Sequence, residues 1–230
     1  MKHYRLYPRL YRTDYLTLTG LREVLTDELG KLSGSVVDYG CGSQPYRTLI
    51  PAACRYIGAD FSNAGEDIVV LDSAGRLPLP DASADNLLST QVLEHVEDVA
   101  DYLRECRRVL KPGGKLLLTT HGNWPYHPNL PHVKDYWRWT APGLERLVGT
   151  NGFRVLAVRP SCEGKLSLIQ QLLALHDPAR VKRAFWRRGV RAGWALGWNA
   201  LAVTLAALAP RWMHSGDILA VDFLVVAEKV

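Results

Sequence analysis

Two aspartates and a glycine-rich turn stand out as residues that could bind a ligand. Val36-Val37-Asp38-Tyr39 has the apolar character of a buried strand and leads directly into Gly40-Cys41-Gly42. The two glycines permit a tight turn and let a bulky ligand approach the backbone closely. Asp60 ends a second strand-like segment 22 residues after Asp38, where its carboxylate could accept hydrogen bonds from two ribose hydroxyls. A strand, glycine turn, helix, strand and terminal acid in this order predict a binding site for a ligand that carries a ribose.

These residues need a sheet that presents them at one edge, because ligands of open α/β sheets bind beyond the carboxyl ends of the strands. Strand and helix signals alternate from residue 35 onward, with helices expected from the glycine turn to about residue 53 and over 99–110. Thr140 is expected to cap a further helix. Seven strands are predicted, over residues 35–39, 56–60, 67–71, 84–89, 115–120, 153–158 and 219–227. Strands separated by helices imply an α/β fold: a Rossmann-like, mostly parallel seven-stranded sheet with helices on both faces.

From about residue 34 to 160, the chain resembles the class I S-adenosylmethionine-dependent methyltransferases, especially their small-molecule branch. Five segments carry the resemblance: the glycine motif Val37–Gly42, the ribose-binding strand Tyr56–Asp60, the adenine-contacting stretch Leu71–Asp81, the segment Thr90–Val96 after the fourth strand, and the turn Arg107–Gly114 before the fifth. The resemblance implies S-adenosyl-L-methionine as cofactor and methyl transfer as the reaction.

The resemblance also implies a role for each residue that would bind the cofactor. Asp38 would hold the amino group, and Gly40, Cys41 and Gly42 would pass under the methionine chain. Asp60 would bind the ribose and Phe61 would flank the adenine. The remaining contacts would come from Asp72 and Ser73 at the adenine amino group and from Gln91 at the sulfonium or methionine end.

The chain departs from the family pattern at Gln44 and Pro45, because a further glycine is common at position 44. A stiffer loop is expected there. Pro45 also stands where a dinucleotide-binding G-x-G-x-x-G motif needs its last glycine, which argues against a nicotinamide-dependent dehydrogenase.

Methyl transfer from a sulfonium is a direct displacement, so the protein mainly has to align the acceptor with the methyl carbon. A hydroxyl or carbon acceptor would also need a general base, and histidine is well suited to that task near neutral pH. His121 and His132 are the predicted bases; Asp135 could orient the imidazole of His132. The residues expected to contact the acceptor are His95, His127, Tyr136, Trp137 and Tyr11. The histidine spacings fit no metal site, so no metal is expected.

The N-terminal segment places Tyr4, Tyr7, Tyr11, Tyr15 and Leu18 at steps of three and four residues, which predicts a helix with the tyrosines on one face. The stripe could pack on the domain or form a lid over the ligand.

Charge and cysteine content restrict the function classes. Residues 1–160 hold 19 basic and 18 acidic residues, whereas residues 161–230 hold nine and five. The near-neutral catalytic region, and the absence of Asn-Pro-Pro-Tyr after the fourth strand, argue against a nucleic-acid substrate. The four cysteines form no metal-binding or disulfide pattern, and no signal peptide is recognised, so a cytoplasmic location is expected.

A basic and apolar segment precedes the last strand. Six basic residues and no acid lie between 180 and 191, and residues 192–209 carry no charge. A membrane span is not expected, because the final strand must return to the sheet. Three alternatives remain: a core helix with a solvated basic face, a peripheral membrane contact through 180–209, or a surface for a homodimer or for the substrate pocket. Trp186, Trp194, Trp198 and Trp212 favour a membrane interface.

The predicted organisation has four parts: an N-terminal helical cover (1–33), the S-adenosylmethionine-binding core (34–160), a helical insertion (161–217) and the final strand (218–230). The predicted function is methyl transfer to a small-molecule acceptor, with a lipid- or sugar-linked intermediate at a membrane as one candidate. The alternative is a non-catalytic S-adenosylmethionine-binding module recruited to a membrane or protein partner.

Overall fold

The computed structural model describes residues 3–62, 68–126, 134–175, 185–213 and 219–230, with backbone alone for 185–188 and 211–212. The strands in these ranges are β1 (Ser35–Tyr39), β2 (Arg55–Asp60), β3 (Ile68–Val70), β4 (Ala84–Thr90), β5 (Leu110–His121), β6 (Phe153–Glu163) and β7 (Ala220–Lys229). The helices are α1 (Tyr15–Leu29), α2 (Val99–Val109), α3 (Ala141–Thr150), α4 (Gly164–Leu175), α5 (Phe185–Leu208) and α6 (Pro210–Met213).

The strands form one sheet in the order β3-β2-β1-β4-β5-β7-β6. Its first four neighbouring pairs, from β3 to β5, are parallel. The central strands are apolar on both faces, as parallel strands covered on both sides must be: Val36, Val37, Leu87, Leu88 and Leu116–Leu118 are all buried. The predicted seven-stranded, mostly parallel α/β sheet is confirmed.

β5 begins five residues earlier than its sequence pattern predicts. Ala84 pairs with Leu110 and Asn86 pairs with Lys115, so residues 111–114 form a bulge opposite β4. Gly113 within the bulge has φ +73°, which glycine adopts without the strain that a side chain would add.

The helix expected after the glycine turn is wrong. The described structure has a single 3-10 turn there, Arg47–Leu49. Pro45 and Pro51 bracket this segment, and proline removes a backbone donor and disfavours helical geometry in the residue before it. No α-helix N-terminus therefore faces the turn after β1 in this part of the chain.

The N-terminal tyrosine helix is wrong as well, because α1 begins at Tyr15. Tyr4, Tyr7 and Tyr11 lie in a series of turns, and each is about half exposed. Pro8 follows Tyr7 and disfavours helical geometry there, so spacing alone does not produce a helix in this segment. By contrast, the predicted cap of α3 is confirmed: Thr140 Oγ1 accepts a hydrogen bond from the Gly143 N–H at 3.2 Å.

The described residues group into two compact units. The first contains residues 3–23, 122–126, 160–175, 185–213 and 219–222, and the second contains 24–62, 68–121, 134–159 and 223–230. The first unit has its own apolar cluster, formed by Leu16, Cys162, Leu173, Ala195, Ala202 and Val221. The N-terminal segment is held within this unit by two buried amides. Gln170 binds the backbone of Thr13 and Thr17, and Asn199 donates to the carbonyls of Leu10 and Arg12.

Across the described ranges, none of the helices has both the length and the apolar character needed to cross a membrane.

Candidate functional site

The turn after β1 is built on two glycines with positive φ, +79° at Gly40 and +50° at Gly42. The N–H groups of Gly40 and Cys41 both donate to the Ala59 carbonyl, at 2.8 and 3.1 Å, which holds the turn against β2. A Cβ at Gly40 would lie 2.5 Å from Val92 Cγ2, so glycine is required here by space and conformation. Burial raises the pKa of the Cys41 thiol to about 12, so this side chain is a neutral packing group.

Asp60 lies at the end of β2 and is held by the neighbouring backbone. Its Oδ2 accepts the Gly42 N–H at 2.8 Å, and its Oδ1 accepts the Phe61 N–H at 2.7 Å. A carboxylate offers about four lone-pair sites, so both oxygens retain capacity for a pair of hydroxyls. The neighbouring backbone therefore fixes the orientation of the Asp60 carboxylate, and its binding to a ribose stays a prediction.

Asp38 is buried on β1, and one of its two carboxylate oxygens is unpaired. Oδ2 accepts a hydrogen bond from the Tyr56 hydroxyl at 2.7 Å. Oδ1 is buried and has no hydrogen-bond partner among the described residues. Burial raises the pKa of Asp38 to about 7; the Tyr56 hydrogen bond opposes this rise and the Asp60 charge adds to it. A buried acceptor without a partner needs an explanation, and a cationic amino group of a ligand would supply one.

The segment after β3 forms a second turn at the site. Asp72 Oδ1 accepts the N–H groups of Ala74 and Arg76 at 2.9 and 2.8 Å, while the rest of this exposed carboxylate stays open to solvent. The Tyr39 hydroxyl donates to the Gly75 carbonyl and ties this turn to β1. Phe61, 67% exposed, lies beside Gly75, where an added Cβ would be 3.2 Å from its ring.

Ser73 is also exposed in this turn. Phe61, Asp72 and Ser73 thus offer one large apolar ring and two polar side chains to solvent, which suits the recognition of a flat heterocycle.

Gln91 follows β4 and adopts φ +57°, an uncommon conformation for a residue with a side chain. Its N–H donates to the Thr119 carbonyl at 2.9 Å, and its amide nitrogen lies 3.3 Å from Thr119 Oγ1. Its Oε1 is buried and has no hydrogen-bond partner in the described structure. Gln91 is therefore the second predicted residue with an unpaired polar atom.

The predicted base His121 forms a buried pair with Glu94, a residue of the turn after β4 to which the sequence assigned no role. Glu94 is fully buried, with Oε2 accepting from the Thr120 hydroxyl at 2.9 Å. Its Oε1 lies 3.3 Å from Nε2 of His121, which is also buried. The sequence offers one indication that Glu94 is buried, because it directly follows the apolar residues Val92 and Leu93. His121 is placed where the sequence predicted, at the end of β5. Glu94 brings a carboxylate oxygen close to its ring, but that oxygen accepts no hydrogen bond from the described residues.

Residues 134–139 are held against the turn that contains Glu94. The Glu94 carbonyl accepts the N–H groups of Tyr136 and Trp137 at 2.7 and 3.3 Å. His95 Nδ1 lies 2.8 Å from the Lys134 carbonyl, and the Trp137 indole donates to the Val96 carbonyl at 2.7 Å. These side chains hold the backbone of the segment together, and their contact with an acceptor stays a prediction.

Four further predicted residues lie outside the described residues, pair with another side chain, or belong to the other compact unit. His127 and His132 fall outside them. Asp135, predicted to orient His132, binds the Arg138 guanidinium through both oxygens at 2.5 and 2.6 Å. Tyr11 belongs to the other compact unit. Across the described ranges, no group of three or more His, Cys, Asp or Glu residues is placed to hold a metal ion.

Sequence comparison with known proteins indicates the family to which the residues of this site belong. Residues 37–118 match the methyltransferase domain family. Over 136 residues, the chain is 35% identical to a probable S-adenosylmethionine-dependent methyltransferase of Mycolicibacterium smegmatis, and the match covers 52% of each chain. Residues 37–118 are a class I S-adenosylmethionine-dependent methyltransferase domain.

Other similar proteins extend the methyltransferase comparison. A demethylmenaquinone methyltransferase of Tropheryma whipplei is 34% identical over 136 residues, which is 54% of this chain and 56% of that protein. A solved geranyl diphosphate methyltransferase shares the fold with a TM-score of 0.57 and 16% identity, over 94% of this chain and 87% of that one. The chain spans about half the length of the two curated relatives.

The methyltransferase match includes the glycine turn, Asp60, Asp72 and Gln91, and it also includes Glu94. It ends three residues before His121. The cofactor-binding half of the predicted site thus lies inside the matched domain, whereas the predicted base and the 134–139 segment follow it.

Proposed function

We propose that this chain transfers the methyl group of S-adenosylmethionine to a small-molecule acceptor. The observation that carries the proposal is the buried, unpaired Asp38 oxygen beside a glycine turn that Asp60 braces through the Gly42 N–H. An amino acid joined to a ribose would satisfy both carboxylates at once, because its ammonium group pairs with one and its two hydroxyls donate to the other.

The residues of the site fit this cofactor chemically. Asp38 and the Gln91 amide oxygen offer two buried acceptors for the amino-acid end. Asp60 offers acceptor capacity for the ribose, while Phe61 and Asp72 offer a ring and a carboxylate for adenine. When bound, S-adenosylmethionine supplies an electrophilic methyl group with a good leaving group already attached.

A small-molecule acceptor is supported by the charge distribution and by the relatives. The catalytic region is nearly neutral, whereas nucleic-acid binding relies on an excess of positive charge. One relative is a demethylmenaquinone methyltransferase, whose named substrate is a small organic molecule.

We propose that His121 removes the proton of the acceptor. Glu94 Oε1, 3.3 Å from Nε2, would stabilise the imidazolium that results, and the Thr120 hydroxyl fixes the other carboxylate oxygen. A positioned base of this kind contributes on the order of 10²- to 10⁴-fold in rate.

Binding is tested by calorimetric titration with S-adenosylmethionine and with its demethylated product. The wild-type chain should bind both. Asp60→Asn should weaken binding by roughly 100-fold, since hydrogen bonds to a charged group contribute about 1.5–3 kcal/mol each. Glu145→Gln is the control, because Glu145 is an exposed carboxylate on α3, outside the site, and its substitution should leave binding unchanged. Absence of binding by the wild-type chain would contradict the proposal.

Turnover is tested separately, with radiolabelled donor and an acceptor panel that begins with demethylmenaquinone. His121→Asn and Glu94→Gln should keep cofactor affinity and lower kcat, by roughly 100-fold or more for His121→Asn. Unchanged turnover in His121→Asn would refute the base assignment. Cofactor binding without methylation of any acceptor would favour the alternative, a non-catalytic binding module.

A further inference from the structure

Helix α5 exposes an apolar face to solvent. Val190 and Leu208 are 66% and 79% exposed, and Leu201 lies between them on the same helical row. Leu196 and Val203 form a second exposed row. The opposite side of the helix, with Ala195, Asn199 and Ala202, is buried in the first compact unit. A helix on a protein surface normally turns polar and charged residues outward, so this face is unusual.

The exposed face of α5 lacks charged residues over most of its length. From Ala192 to Ala209 the chain carries no Asp, Glu, Lys or Arg. Helix α4, which shares the same apolar cluster, adds Leu168, Leu172 and Leu175 as exposed residues at spacings of four and three. Exposed apolar surface of this extent marks a contact site.

The charge at the start of α5 indicates which surface is contacted. Arg187, Arg188 and Arg191 lie in the first two turns of the helix. Within the first turn, the positive end of the helix dipole disfavours cations. The surrounding sequence is basic, because no acidic residue occurs between Asp177 and Asp217. A segment of this charge attracts an anionic surface. Arg191 also donates to Thr13 Oγ1 at 3.3 Å, so its side chain is partly committed.

We propose that α5 lies on an anionic membrane surface, with its apolar face in the headgroup region and its basic end among lipid phosphates. Basic helices with one apolar face bind membranes in this orientation. A second copy of the chain fits less well, because its α5 brings the same arginines and no carboxylate to pair with them. The tryptophans do not support the proposal where they are described: Trp194 and Trp198 pack against the apolar cluster.

The proposal is tested by co-sedimentation of the full chain with vesicles of phosphatidylcholine, with and without phosphatidylglycerol. We expect binding to be roughly tenfold or more tighter with phosphatidylglycerol, since each basic residue near an anionic surface contributes about 1 kcal/mol. High salt should remove most of that difference. This comparison uses the wild-type chain and needs no variant to fold.

Two double variants separate the two contributions. Leu201→Gln/Leu208→Gln should weaken binding to the anionic vesicles by roughly 100-fold or more, because each buried leucine contributes at least about tenfold. Arg187→Gln/Arg188→Gln should weaken binding to the anionic vesicles by roughly tenfold or more and leave binding to phosphatidylcholine unchanged. The matched controls are Leu156→Gln, an exposed leucine on β6, and Arg104→Gln/Arg146→Gln, which removes the same charge elsewhere. Both controls should bind as the wild type does.

Several results would overturn the proposal: no vesicle binding, equal binding to both kinds of vesicle, or no effect of the leucine variant. Light scattering without lipid gives a further test. A wild-type dimer that Leu201→Gln/Leu208→Gln dissociates would show that the face joins two copies of the chain. The proposal depends on surface residues of α5 and α4 that have no part in the proposed methyl transfer, so its failure would leave the methyl-transfer proposal intact.

Discussion

At the scale of single residues, the binding role proposed for Asp38 comes with a cost in stability. Its carboxylate is buried, and a chain of contacts reaches it from the turn after β1: the Arg47 guanidinium lies 5.0 Å from the centre of the Tyr56 ring, and the Tyr56 hydroxyl donates to Asp38. This support satisfies one carboxylate oxygen and leaves the other for a ligand. A site prepared for a charged ligand is commonly destabilising while empty.

The pH dependence of stability follows from the pKa of about 7 that burial gives Asp38. Because the folded-state pKa lies above the unfolded value, this group's contribution to stability is greatest below about pH 4 and is lost as the pH rises through 7. Asp38→Asn lacks this dependence. Between pH 5 and pH 8, we expect the unfolding free energy of the variant to rise by about 2 kcal/mol relative to that of the wild type. Urea denaturation measures this difference.

The same variant should bind S-adenosylmethionine weakly, and wild-type affinity should fall as the pH drops below about 7, where the carboxylate is protonated. A constant stability difference from pH 5 to pH 8 would show that Asp38 is ionised throughout that range.

At the scale of elements, α1 depends on a side chain from a distant helix. Thr17 is the third residue of α1, so its N–H has no partner inside the helix. Gln170 of α4 accepts this N–H at 3.1 Å and donates to the Thr13 carbonyl at 2.6 Å. One buried amide thus caps α1 and ties the preceding turns to α4.

Gln170→Leu would leave a buried N–H and a buried carbonyl without their partner. Each such group costs about 1–3 kcal/mol, so we expect the unfolding free energy to fall by about 2–4 kcal/mol. Leu168→Ala, at an exposed position of the same helix, should change it by less than about 0.5 kcal/mol. Urea denaturation at pH 7 measures both. Equal stability of Gln170→Leu and the wild type would mean that water replaces the amide.

At the scale of the whole molecule, ligand binding should appear as thermal stability. Every residue proposed to bind the cofactor lies in the second compact unit. A ligand that binds the folded state stabilises it by about 2.7 kcal/mol at 100 times its dissociation constant. For a chain of this size we expect S-adenosylmethionine to raise the melting temperature by about 5–10 °C. Asp60→Asn at the same ligand concentration should show little rise, and a similar rise in both would place the binding site elsewhere.

Local patterns in the sequence were sufficient for the strands, the glycine turn, the cap at Thr140 and the two carboxylates of the site. These features depend on neighbouring residues: a strand on alternating or continuous apolar residues, a turn on glycine, a cap on one hydroxyl. The same spacing rules misplaced the tyrosine helix and the helix after Gly42, where Pro8, Pro45 and Pro51 outweighed the pattern.

Local sequence patterns were thus enough to predict the sheet, the methyltransferase family and the residues at the carboxyl edge of the sheet. Contacts in the folded chain were needed to show which polar atoms of the described residues lack partners there, that Glu94 lies beside His121, and which side of α5 faces solvent. The physical reason is that burial and pairing depend on contacts between residues far apart in the chain, such as the 27 positions that separate Glu94 from His121. Neither periodicity nor local spacing carries information about such contacts.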